Sequence, residues 1–158
     1  MSYLEKQVDA LMRLCVAEET DKERLREEVK RMLQLRKNGG MDPEQEVRKI
    51  LLELGAPDHL VGHPYVIRAI LLVIGDQLYI NHITFGLYPQ LAVEFDSTPA
   101  RVERAIRHLI EVTWIRGDID VLDSYFGNTI SASRGKPTNG EFIARIANVV
   151  KQRMREVS

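Results

Sequence analysis

The sequence predicts an all-α fold with a helix-turn-helix, and three observations predict it. Apolar residues recur at three- and four-residue spacings through successive segments, while no period-two alternation persists anywhere. Five of those segments open on a helix-capping residue: Thr20, Asp42, Thr98, Asp118 and Thr138. Three of them close on glycine, at Gly39-Gly40, Gly55 and Gly117. At 158 residues, 28% charged and 44% hydrophobic, the chain can bury one core, or one core with a small appendage.

Residues 1–40 form the first division. Leu4, Val8, Leu11 and Cys15 follow 4-3-4 spacing, and Leu25, Val29 and Met32 continue that register past Glu18 and Lys22. Two readings stay open: one long helix forming a coiled coil with a polar interruption, or a helical hairpin. Thr20 followed by Glu23 makes a capping-box pattern, which favours the hairpin. In both readings the apolar seam needs a partner, and self-association into a homodimer is the expected one. Lys37-Asn38-Gly39-Gly40 supplies a helix stop and a short joint.

Residues 41–158 form the second division. Asp42 caps a helix whose stripe is Val47, Ile50, Leu51 and Leu54, stopped by Gly55. The next helix is predicted to begin near Pro64 and to carry Ile67, Ile70, Leu71 and Ile74 into the core. Phe85 to Phe95 holds Leu87, Leu91 and Ala92, followed by the turn Asp96-Ser97-Thr98. Thr98 and Pro99 then open a longer helix that Gly117 closes. On that helix Val102, Ile106, Leu109 and Thr113 share one face, while Arg101, Arg104, Arg107, His108 and Glu111 share the other. Asp118 caps a short helix with Val121, Leu122, Tyr125 and Phe126. Gly127 to Pro137 reads as a loop, and Thr138 with Glu141 opens a last helix carrying Phe142, Ile143, Ile146, Val149 and Val150 on one side.

A short helix, a polar turn and a longer basic helix are the parts of a helix-turn-helix, whose second helix enters the major groove. Arginine there bonds phosphate, or grips the O6/N7 edge of guanine with two parallel bonds. A charged outer face is equally what a solvated helix shows, and the turn lacks the glycine often found there, so periodicity alone leaves both readings open. The net charge of −1 announces no nucleic-acid binder. Acids concentrate early in the chain, however, and from Ser97 onward basic residues outnumber acidic ones, which weakly supports a local cationic surface.

Other chemistries find little support. His59 and His63 have the i, i+4 spacing of a zinc pair, but Gly62 and Pro64 argue against a helix there, and no further ligand completes a motif. Asp118, Asp120 and Asp123 lack the glycine and terminal glutamate of a calcium loop. No catalytic triad order, phosphate loop or reactive-cysteine context is present, so no enzyme activity, cofactor or metal is expected. The single cysteine, Cys15, fits a reducing cytoplasm. An N-terminus charged from Glu5 onward predicts no secretory leader, and Ala69 to Ile74 is too short to span a membrane.

From about Gly55 onward the chain resembles the DNA-binding effector domain of the stage-zero sporulation master regulators of endospore-forming Firmicutes. The runs that carry the resemblance are Arg101-Val102-Glu103-Arg104-Ala105-Ile106-Arg107-His108, Arg116-Gly117-Asp118-Ile119-Asp120, and Lys136-Pro137-Thr138-Asn139 followed by Glu141-Phe142-Ile143-Ala144, with Leu87-Tyr88-Pro89 upstream. Pro99 and Ala100 depart from the family's Ala and Ser, removing a hydroxyl. The resemblance implies a six-helix unit that binds double-stranded DNA at a box of the TGTCGAA type. It assigns DNA contacts to Arg101, Glu103, Arg104, Arg107 and His108, with Glu103 nearest the flank, and backbone contacts to Lys136 and Arg134. It further implies head-to-tail pairing partly through Phe142 to Val150, and contact with the polymerase sigma factor. The helical pattern of residues 1–40 differs from the α/β receiver domain that precedes this unit in the family, so phosphate gating is not expected. The alternative is a non-enzymatic interaction protein that pairs with, or antagonises, a full-length regulator; intact base-reading residues argue for DNA contact.

Overall fold

The computed structural model describes residues 3–7, 19–37, 41–127 and 135–157, and every regular element among them is helical. Two compact units divide the chain, Met1–Asp42 with Val157–Ser158, and Pro43–Glu156.

In the first unit, residues 3–7 are helical and α1 spans Glu19–Lys37. Leu25, Val29 and Met32 are half-buried, whereas most of their charged neighbours are exposed. Exposed Arg31–Glu28 and Lys30–Glu27 pairs at 2.7 and 3.6 Å run along the helix, each contributing a few tenths of a kcal/mol. Glu19 and Thr20 are both helical in backbone where the described part of α1 begins. Val8, Leu11, Cys15 and the joint at 38–40 fall outside the described residues, and with them the choice between hairpin and single helix.

Among the described residues the second unit contains six α-helices: α2 (Pro43–Leu54), α3 (Gly62–Gly75), α4 (Tyr88–Glu94), α5 (Pro99–Arg116), α6 (Ile119–Phe126) and α7 (Asn139–Val157). A 3₁₀ turn at Gln77–Asn81 and a π-helical turn at Ile83–Leu87 join α3 to α4. In α2 the stripe Val47, Ile50, Leu51 and Leu54 is fully buried. Its end is a Schellman motif, with Ala56 N–H donating to Leu51 O at 2.9 Å and Gly55 N–H to Leu52 O at 3.1 Å. Gly55 takes φ +82°, the left-handed conformation that motif requires.

α3 is the centre of the unit. It starts at Gly62, two residues before the predicted position. Pro64 is accommodated because the first turn of a helix has no intrahelical acceptor for its missing N–H. Every residue from Tyr65 to Val73 is buried, so the helix is enclosed on all sides, as its continuous apolar run suggests; Ile74 is only half-buried. Its one charged side chain there, Arg68, is 6% exposed and meets Glu94 of α4 with two bonds of 2.8 Å, from Nε to Oε2 and Nη2 to Oε1. Such a fork-to-fork pair is the geometry in which a buried guanidinium is best compensated. Tyr65 and Phe95 add an edge-to-face contact at 4.8 Å beside it.

α3 crosses α5 at close range. A Cβ placed on Gly62 would stand 2.2 Å from Ala105 O and 3.1 Å from Leu109 Cβ, so only hydrogen fits. Val102, Ile106, Leu109, Ile110 and Thr113 form the buried side of α5, and Thr113 satisfies its hydroxyl by donating to Leu109 O at 2.6 Å. Gly117 ends α5 with its Cα against the end of α2, where a side chain would strike Leu54 O. Asp118 then caps α6 through Asp120 N–H at 2.8 Å. Thr138 caps α7 through Glu141 N–H at 3.2 Å and donates to the Glu141 carboxylate at 3.1 Å. Trp114, Phe126 and Phe142 unite α5, α6 and α7, with Phe126 and Phe142 stacked at 5.3 Å and Trp114 edge-on to both.

The turn between α4 and α5 manages without glycine because Asp96 itself adopts φ 52°. Ser97 N–H donates to Ala92 O at 2.8 Å, closing α4 as Gly55 closes α2. A short acidic side chain tolerates this conformation better than a branched one.

Two substitutions test these constraints in urea titrations. Gly62→Ala, which ordinary helix propensity would reward, is expected to destabilise by about 2–3 kcal/mol through overpacking. Asp96→Val is expected to cost about 1–2 kcal/mol, while Asp96→Gly leaves the midpoint no lower than that of the parent.

Candidate nucleic-acid interface

The outer face of α5 is set by its cap. Thr98 is extended at φ −122°, ψ 153°, its hydroxyl accepts from Arg101 N–H at 3.3 Å, and Pro99 follows at the first helical position. With Val102, Ile106 and Leu109 turned inward, Arg101, Arg104, Arg107 and His108 are all exposed. These four line one hollow together with Ala105 and Glu111.

Glu103 stands on the flank, half-buried, its carboxylate 3.7 Å from Arg107 Nε one turn on. Lys136 arrives from far along the chain, its ammonium 3.5 Å from the Glu111 carboxylate. Arg134 lies outside the described residues. The structure thus brings Lys136 to the helix that carries the other five predicted contacts.

The segment that follows Lys136 is tied to the helix-turn-helix by a residue absent from the predicted contacts. Asn139, at the start of α7, donates from Nδ2 to Glu103 O at 3.1 Å and to Tyr88 Oη at 2.9 Å. One amide therefore ties α7 to both helices of the helix-turn-helix. Burial is the main cause that pushes the Tyr88 pKa up, keeping the phenol protonated. The Asn139 signal was present in the sequence only as part of the run beginning at Lys136, where nothing local distinguishes a bridging amide from a turn residue.

The apolar side of α7 is committed to the core. Phe142, Ile143, Ile146, Ala147 and Val150 are fully buried in this chain's own core, because α7 needs that stripe to seat on α5 and α6; Val149 is half-buried. Only its polar and flanking positions, such as Asn148, Gln152 and Arg155, are exposed. Toward the C-terminal end of the same apolar side, Arg153 joins α7 to α2 and α6, donating to Glu46 at 2.5 Å and to Tyr125 Oη at 3.0 Å.

The histidine pair is also rearranged relative to expectation. His63 is inside α3 and 8% exposed, whereas His59 is exposed in the preceding loop. Among the described residues, no group of three or more His, Cys, Asp or Glu side chains is placed to hold a metal ion. Burial, and then the charge of Arg48, lower the His63 pKa below its ordinary 6.5, with Asp58 opposing. His63 is therefore kept neutral as a packing residue. No helix among the described residues is long and apolar enough to cross a membrane.

A capped helix with a buried stripe and an outward cationic row, preceded by a short helix and a tight turn, defines a helix-turn-helix DNA-binding domain. The family model described as sporulation initiation factor Spo0A C terminal matches residues 47–150, about two thirds of the chain, and the chain belongs to that family. The match covers most of the second unit, including α3 to α6 and much of α7.

The depressed His63 pKa gives a signed expectation. The neutral form is favoured in the fold, so its stabilisation is complete above about pH 6.5 and is lost as pH falls through the folded value. Urea midpoints measured from pH 8 to 5.5 are expected to fall below pH 6.5, with a slope of at most about 1.4 kcal/mol per pH unit from this group. His63→Gln is expected to flatten that part of the profile.

Proposed function

We propose that this protein is a sequence-specific DNA-binding transcription regulator that inserts α5 into the major groove at a box of the TGTCGAA type. One observation carries the reading: Arg101, Arg104, Arg107 and His108 are exposed together on the face of α5 opposite its core stripe. None of these four is consumed by the fold, and a guanidinium row at helical spacing suits guanine edges and flanking phosphates. Glu103, on the flank, is placed to accept from a cytosine amine or to orient Arg107. Lys136, with Arg134, takes the sugar-phosphate backbone, adding affinity without sequence preference.

The first unit supplies self-association. Its seam of Leu25, Val29 and Met32 between charged rows suits a second copy of the same helix. Dimerisation through this unit brings two DNA-binding domains into one complex. The 158-residue chain accordingly binds with no phosphodonor present. The family resemblance adds the polymerase sigma factor as a protein partner and a cytoplasmic location.

Fluorescence anisotropy on a duplex carrying the box, beside a scrambled duplex and across a salt series, tests this reading. The expected result is submicromolar binding that prefers the box, with Arg104→Ala weakening it by roughly 5- to 150-fold, the equivalent of about 1–3 kcal/mol. Equal binding to both duplexes, vanishing at moderate salt, would reduce the surface to phosphate attraction and favour an interaction protein. Sedimentation at micromolar concentration is expected to show a dimer.

A further inference from the structure

The cationic face holds one carboxylate that the assigned contacts leave out. Glu111 lies one turn beyond Arg107 and borders two hollows. One is the arginine hollow, with Arg101, Arg104, Arg107 and His108. The other lies between α5 and the segment entering α7, with Tyr88, Glu103, Lys136 and Asn139 among its walls. Arg107 and Glu111 line both, so together they form the ridge between them. The Glu111 side chain is 42% exposed, and it faces Arg107 and His108 on its own helix and Lys136 from the loop, at 3.5 Å.

Resting on the DNA-binding reading above, we propose that Glu111 is a positioning and specificity-determining residue: it holds Lys136 beside α5 and counts against phosphate binding that is not accompanied by base contacts. The physical argument has two parts. A lysine on a short loop segment has a long flexible stem, and an ammonium free to sweep finds a phosphate on any duplex. Pairing it to a carboxylate on the reading helix ties its position to the register of that helix. A half-exposed pair is worth little for stability, so its effect lies in where it holds the ammonium.

The second part is repulsive. A fixed negative charge amid Arg101, Arg104, Arg107, His108 and Lys136 penalises most the shifting poses held by phosphate contacts alone, in which backbone oxygens crowd the carboxylate. On box DNA the base-edge bonds of the arginines hold one register and exclude those poses, whereas scrambled DNA has no other way to bind. Discrimination then comes from an unfavourable contact as much as from favourable ones. The carboxylate lowers affinity overall and widens the gap between right and wrong sites.

The test is the ratio of dissociation constants on scrambled and box duplexes, for parent, Glu111→Gln, Lys136→Gln and the double variant, at several salt concentrations. Glu111→Gln is expected to tighten binding to the scrambled duplex about 3- to 10-fold, to change box binding less, and so to shrink the ratio. In the Lys136→Gln background the same substitution is expected to have a smaller effect, since part of its action runs through that lysine. Urea midpoints of all four proteins are expected to agree closely, which separates positioning from a folding defect. An unchanged ratio in Glu111→Gln would overturn the inference while leaving the DNA reading intact. Parent protein that binds neither duplex would overturn both. Equal effects of Glu111→Gln with and without Lys136 would remove the positioning half and leave repulsion alone.

Discussion

The close crossing of α3 and α5 at Gly62 is the constraint on which the rest of the second unit depends. α3 is apolar on every side, so it has no stable position except one enclosed by neighbours. The glycine lets the start of α3 lie directly on the backbone of Ala105, and that contact fixes how α5 is rotated about its own axis. Rotation is what matters here. With Val102, Ile106 and Leu109 committed to α3, the arginines have only the outer side left. Arg68 extends the same logic to α4, because its fork onto Glu94 anchors the first helix of the motif to the helix that anchors the second. The angle within the helix-turn-helix is thus held from beneath by α3, with Asn139 clasping it from the side.

The electrostatics of the domain are local. A chain with net charge −1 presents a cationic surface because the acids early in the sequence are spent elsewhere, among them Glu46 on Arg153 and Glu53 on Tyr125. The acids on α5 are fewer and paired with the bases they accompany, Glu103 with Arg107 and Glu111 with Lys136. Such pairs keep long side chains from wandering in the free protein and release them at little cost when phosphate approaches. On the DNA-contact reading proposed above, an approaching duplex meets side chains that are already partly ordered, which lowers the entropy lost on binding.

Whatever in this structure is set within a few residues was legible in the sequence. The stripe of α2, the cap at Thr98 with Pro99, the cap at Asp118 and the capping pair Thr138 and Glu141 all depend on one turn of chain, and pattern reveals them. What depends on distant partners was misread or missed. Gly62 and Pro64 look like helix breakers in isolation, yet the glycine is there for Ala105, far along the chain. Asp96 gave no sign that it would adopt a left-handed backbone, since aspartate serves equally in ordinary turns. Among the site residues, the arginines and His108 followed from helical periodicity, whereas the arrival of Lys136 beside Glu111 and the bridge from Asn139 required the fold itself.

The aromatic junction of α5, α6 and α7 has a spectroscopic consequence. Trp114 is the only tryptophan in the chain, and it stands half-buried and edge-on to Phe126 and Phe142. All intrinsic indole emission therefore originates where three helices meet. A red shift on heating reports the last helix lifting from the reading helix, with no label and no mutation. The molecule carries a built-in optical gauge at the junction that steadies its recognition surface.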